Sequence, residues 1–138
     1  MDEQENVELV KQGFAAFQRG DIATVLNFFA DDIDFPDSMP ATIWPWAGKR
    51  RGRVQVAEFY AGLAEVAEFE QFEPREFIAQ GNAVVVLAFE RFHIKATGRT
   101  VENELVTVFM FSEGKVARLR TYEDTAPIIA AIRGQEAI

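Results

Sequence analysis

Residues 83–122 read AVVVLAFERFHIKATGRTVENELVTVFMFSEGKVARLRTY, and this stretch decides the fold. Valines, phenylalanines and threonines give it strand character. Two turn signals divide it, Thr97-Gly98-Arg99 and Glu113-Gly114-Lys115, and Gly81-Asn82 opens it. The spacing predicts strands over 83–95, 100–112 and 116–122, joined by hairpins and therefore antiparallel. Just upstream, 69–80 reads as a polar-rich candidate strand interrupted by Pro74. Both parities of the strands carry large apolar residues, for instance Val84 and Val86 beside Val85 and Leu87. One face can cover an interior. The other needs a partner, because extensive exposed apolar patches are rare on monomers, so a homodimer packed through the sheet is expected.

Outward from the sheet the period changes to that of helices. Val7, Val10, Phe14 and Phe17 mark a first helix, with Asp2 and Glu5 as its start signal and Gly20 as its stop. Asp21 caps a short second helix with the stripe Val25, Leu26, Phe28 and Phe29. Residues 31–35 look like a short edge strand ended by Pro36. The stretch 37–53, with Pro40, Pro45, Gly48, Trp44 and Trp46, reads as one long loop of the kind that forms a lid or mouth. Val56, Phe59, Tyr60, Leu63 and Val66 give a third helix, and Thr125 caps a last short one ending at Gly134. Helices segregated from hairpin-linked strands make an α+β fold in which a twisted sheet folds over three N-terminal helices and encloses a pocket.

Composition narrows the function classes. The 138 residues carry 22 acidic and 14 basic side chains, a net charge of -8, which disfavours a nucleic-acid partner. The one basic run, Lys49 to Arg53, is too short for such a footprint and reads as a solvated loop that pairs with surplus carboxylates or with a carboxylated ligand. Cysteine is absent and His93 is the single histidine, so thiolate and multi-histidine metal sites are excluded. No apolar run reaches the ~18 residues of a membrane span, and the acidic start MDEQENVELV is unlike a leader peptide. A cytoplasmic protein of one domain, needing no cofactor, is the expectation. Phenylalanine occurs 13 times against 2 tyrosines and 2 tryptophans. That bias fits either a Phe-rich core or an aromatic cavity for a small apolar molecule.

Several motifs, in order, resemble one family. They are Phe14-Ala-Ala-Phe-Gln-Arg-Gly-Asp21, Phe29-Ala-Asp-Asp32, Gly48-Lys-Arg-Arg-Gly52 before Phe59-Tyr60, Gly98-Arg-Thr-Val, Phe109-Met-Phe-Ser-Glu-Gly-Lys-Val116 and Arg120-Thr-Tyr-Glu-Asp-Thr125. The chain resembles the NTF2-like superfamily, and within it the ketosteroid-isomerase and SnoaL-like group of small isomerases, cyclases and hydrolases. The resemblance implies a cone-shaped roll of curved, mainly antiparallel sheet around a deep apolar pocket, often dimeric through the sheet. It also places Asp37 on the position of the isomerases' catalytic base, and Tyr60 on a tyrosine that supports their oxyanion hole. The two principal oxyanion positions fall on Gly13 and on Thr107 (or Val106 if the hairpin is one residue shorter), which are not those donors. Losing one such donor costs about 10²–10³ in rate, so steroid isomerisation itself is not expected.

The candidate site follows from both readings. Asp37 is either a general base or a loop aspartate bonded to local backbone. His93 shares the parity of Val85, Leu87, Phe89 and Arg91; it shuttles protons at the pocket rim if that parity is concave, and otherwise is a solvated strand-end histidine. Phe14, Phe17 and Phe59 from the helices and Leu87, Phe89, Leu105, Phe109 and Leu119 from the sheet form the expected wall. Asn103, Thr107, Thr121 and Glu123 are the polar groups on the same strand parities, as ligand contacts or as strand-filling residues. The opposite parity of residues 100–112 stays open, because one bulge exchanges the faces. Trp44 shuts the mouth or packs on the third helix. The leading expectation is cofactor-free proton transfer on an apolar polyketide- or steroid-like molecule; the alternatives are a non-catalytic binding module and a dimerising interaction protein.

Overall fold

Capping sets the two N-terminal helices. The computed structural model describes residues 2–36, 39, 42–43 and 48–134. The Asp2 carboxylate accepts the Glu5 amide at 2.8 Å and starts α1 (Glu3–Gln18). Gly20 turns the chain at a φ of 75°, a backbone that side chains other than glycine's rarely adopt. Asp21 then accepts from the Thr24 hydroxyl at 2.6 Å and the Thr24 amide at 3.2 Å, starting α2 (Ile22–Asn27). Those two hydrogen bonds hold the Asp21 carboxyl below its usual range. α2 stops short of Phe28, so the four-residue stripe expected there is divided: Phe29 opens β1 (Phe29–Phe35).

β2 (Arg50–Arg51) falls inside the stretch expected to be one loop. α3 (Gly52–Val66), β3 (Ala67–Gln80), β4 (Ala83–Ile94), β5 (Thr100–Ser112), β6 (Lys115–Glu123) and α4 (Ala126–Ile132) follow. The six strands form one curved, open sheet in the order β2-β1-β6-β5-β4-β3. β1 is therefore not the edge. It lies between β2 and β6, and it runs parallel to β6. Neither pairing has a hairpin signature, because a parallel partner needs a long connection. The α+β architecture with N-terminal helices on one side of a mainly antiparallel sheet is as the sequence indicates. Thr125 is the N-cap residue of α4, as expected, but its side chain makes no cap bond; the Asp124 carboxylate accepts the Ala126 amide at 3.2 Å instead.

The basic run is absorbed locally. Arg53 donates from Nε and Nη2 to the Phe29 carbonyl at 2.9 and 2.6 Å and pairs with Asp31 at 3.0 Å, tying α3 to β1.

β4 alternates without interruption, and its buried members are Val84, Val86, Ala88, Glu90, Phe92 and Ile94. The expectation for this strand is thereby reversed: Leu87, Phe89 and His93 lie on the outer face. The physical reason is that both parities are apolar enough to be buried, and helix packing selects the one free of Arg91 and His93. On β5 the inner set is Val101, Asn103, Leu105, Thr107, Phe109 and Phe111. β3 departs from alternation. Its register against β4 shifts between Phe69 and Gln71 and again between Pro74 and Glu76. Each shift accommodates an extra residue and bends the strand towards α1.

Candidate functional site

A cavity of about 170 Å³ lies between the helices and the inner face of the sheet. Rings make most of its wall. Phe14 stacks on Phe72 at 5.6 Å and meets Phe109 edge-on at 5.9 Å. Phe17 packs on Phe72 at 5.0 Å and on Tyr60 at 5.9 Å, and Phe69 on Phe92 at 5.0 Å. Such pairs contribute about 0.5–1.5 kcal/mol each beyond their burial, so the wall is also a structural element.

Among the described lining residues the polar side chains are Tyr60, Glu90, Thr107, Thr121 and Glu123. Strand pairing gathers four of them. Thr107 lies opposite Thr121, with their hydroxyls 3.1 Å apart. Glu123 follows on the same face of β6, opposite Leu105. Glu90 lies on β4 opposite Asn103, whose amide donates to the Asp124 carbonyl at 2.9 Å.

Glu90 is the unusual group. It is 4% exposed, and its Oε2 has no hydrogen-bond partner. Desolvation, and secondarily the charge of Glu123, push its carboxyl up to about 8, while a hydrogen bond from Asn103 opposes the shift. Near neutral pH it is therefore mainly the uncharged acid, a donor as well as an acceptor. The Tyr60 phenol is pushed up by burial and stays protonated. No group of three or more His, Asp or Glu able to hold a metal occurs among the described residues. No helix among them is long and apolar enough to cross a membrane.

The expected site residues divide into three sets. Phe14, Phe17, Phe59, Tyr60, Leu105, Thr107, Phe109, Leu119, Thr121 and Glu123 line the cavity. Asn103 is buried behind it, against Glu90. Leu87, Phe89 and His93 are turned away. Phe89 lies under the guanidinium groups of Arg75 and Arg91, at 4.7 and 5.7 Å. His93 sits between Glu68 and Glu70, 3.6 Å from each. Asp37 and Trp44 lie outside the described residues.

The sequence reading missed Glu90. Its signal is present, however: Glu90 is the one charged residue on the β4 parity that is otherwise Val84, Val86, Ala88, Phe92 and Ile94.

This arrangement, helices closing an open curved sheet over an aromatic cavity, is that of the NTF2-like proteins. The SnoaL-like domain model matches residues 10–119, and the chain belongs to that family. An NTF2-like protein from Burkholderia xenovorans LB400 is 37% identical, covering 96% of this chain and 98% of its own, with a TM-score of 0.84. TerC, co-crystallised with polyporic acid, is 24% identical over 94% of this chain and 98% of its own, with a TM-score of 0.81. A putative SnoaL-like polyketide cyclase from Mesorhizobium loti is 20% identical over 84% of this chain and 97% of its own, with a TM-score of 0.70. No protein of curated function matches.

Proposed function

We propose that the chain is a small-molecule enzyme of the SnoaL-like type. It holds an apolar, polyketide- or steroid-like substrate against the phenylalanine wall and moves a proton without a cofactor, in an isomerisation, cyclisation or hydrolysis. The observation that carries this reading is the meeting of an aromatic wall with two carboxyl groups, Glu90 and Glu123, in one cavity. Water-poor surroundings make such groups more effective at proton transfer. The SnoaL-like polyketide cyclase relative and the co-crystallisation of TerC with polyporic acid agree with the ligand class. Asp37 is the proposed base; its support is the resemblance, together with Pro36 and Met39, which flank it in sequence and line the cavity. A cavity of this volume takes a single ring readily, since an engineered cavity of about 150 Å³ binds benzene. We further propose a cytoplasmic homodimer packed on the outer sheet face, where Tyr122 and Met110 are exposed beside half-buried Val106 and Val108.

Acetophenone is a suitable first probe, because its methyl protons exchange with deuterium through an enol. The expected result is protein-dependent exchange in heavy water, followed by proton NMR, falling about 10²–10⁴-fold in Asp37→Asn with folding intact. Exchange undiminished in Asp37→Asn removes the base assignment. Saturable binding without exchange favours the second reading, a non-catalytic binding module. That reading rests on Gly13 in the cavity wall, where a donor side chain is lacking, and on the Thr107 hydroxyl already paired with Thr121.

A further inference from the structure

Among the described residues, the cavity contains a buried acid with no cationic side chain in the lining. Among its described lining residues the ionisable ones are Glu90 on β4, Glu123 on β6 and Tyr60 on α3; none is cationic at neutral pH. Buried carboxylates are ordinarily paired or multiply hydrogen-bonded, since an isolated buried charge costs far more than a buried neutral group. Glu90 meets neither condition at Oε2, which is sealed from solvent and has no hydrogen-bond partner among the described residues. Buried polar atoms left unsatisfied are few in native structures, and each calls for an explanation. Thr107 and Thr121 bond each other through their hydroxyls, and neither is bonded to Oε2.

We propose that Glu90 recognises ligands as a neutral carboxylic acid, donating its proton in a hydrogen bond to a carbonyl oxygen of an apolar ketone, quinone or ester held against the phenylalanine wall. The inference rests on the reading of the cavity as a small-molecule site and adds the chemical class of the ligand and its orientation. The oxygen points at β4, and the hydrocarbon body lies towards Phe14 and Phe109. The donor comes from a strand and position different from Gly13 and Thr107, the two places where the steroid isomerases hold theirs. A neutral acid suits this ligand for an electrostatic reason. The proton already neutralises one of two neighbouring carboxyls, so an acceptor oxygen gains a hydrogen bond without a new charge in the aromatic interior. A cationic ligand would have to displace that proton first.

Three molecules of nearly equal shape test this: isopropylbenzene, acetophenone and 1-phenylethylammonium, each titrated into the whole chain by calorimetry from pH 6 to pH 9.5. Acetophenone is expected to bind about tenfold tighter than isopropylbenzene near pH 6.5, the value of one good neutral hydrogen bond. That advantage should shrink towards unity above pH 9, as Glu90 ionises and ceases to donate. Glu90→Gln keeps an N–H donor that does not titrate, so its advantage should persist and be flat with pH. Glu90→Met should show none at any pH; if it fails to fold, the wild-type and Glu90→Gln profiles suffice. Equal binding of the ketone and the hydrocarbon overturns the proposal and leaves the cavity reading standing. Tightest binding of the ammonium overturns it in favour of a cation site. A pH-dependent advantage that survives in Glu90→Gln also overturns it, since Glu123 or Tyr60 would then be the titrating group. Saturable binding of none of the three overturns the cavity reading and the proposal together.

Discussion

On the outer face of the sheet, several basic side chains lie beside acidic ones. His93 lies between Glu68 and Glu70, Arg91 reaches Glu102 at 3.2 Å and the Gln71 amide oxygen at 3.2 Å, and Arg118 meets Asp34 at 3.3 Å. One residue along the same strand, on the inner face, Glu90 has only another carboxyl for an ionic neighbour. The two faces solve one problem in opposite ways. Water and counter-charges settle these outer groups, whereas the inner one keeps its proton to higher pH. The lesson is that charge in a sequence does not mark a solvated face; what marks it is the availability of an opposite charge.

The largest effect should come from the inner wall. Phe14→Ala removes a ring that touches Phe72, Phe77 and Phe109, and should cost about 3–5 kcal/mol in urea denaturation. A loss under about 1 kcal/mol would mean that the rings do not form a packed wall. Next is the pH dependence of Glu90. Its folded value lies above its unfolded one, so the unfolded chain releases this proton first. Stability should therefore fall as pH rises from about 4.5 to about 8 and level off above. The slope for one proton is at most about 1.4 kcal/mol per pH unit. Glu90→Gln should flatten that part of the stability curve, and an unchanged slope would place Glu90 among the ordinary carboxylates. The smallest effect belongs to the outer face: His93→Ala should change stability by less than about 1 kcal/mol and leave probe binding in the cavity untouched. A His93→Ala protein that no longer binds the probes would erase the distinction between the faces.

Much of this was legible in the sequence, and the failures have specific causes. The helix caps at Asp2 and Asp21, the three hairpin-linked strands and the inward sets on β5 and β6 follow from local chemistry and alternation. The β4 face does not, because Val85, Leu87 and Phe89 are as apolar as Val84, Val86 and Phe92, and only Arg91 and His93 distinguish the sets. The expectation that Leu87 and Phe89 belong to the wall placed two residues on the wrong face and concealed Glu90. The parallel pairing of β1 with β6 was out of reach for another reason. It joins residues 29–34 to residues 116–118, and no turn records that contact.

The two extra residues in β3 have a consequence for how such a chain can change length. Between Ala67 and Ala79 the strand uses twelve steps where its partner, from Ile94 to Val84, uses ten. Its inward residues Ala67, Phe69, Phe72, Pro74, Phe77 and Ala79 are accordingly spaced by two, three, two, three and two. Loss of one codon between Phe69 and Phe72 would restore simple alternation there without breaking the ladder. Ala67, Phe69, Phe72 and Phe77 would all stay inward, because Phe69 and Phe72 would then stand two positions apart. An inherited deletion at this point would thus straighten the strand in a single step while keeping the same side chains inward, and gain of a codon could reverse it. The curvature of this wall can therefore change by length as well as by substitution, with the bulge as the place where the strand absorbs the difference.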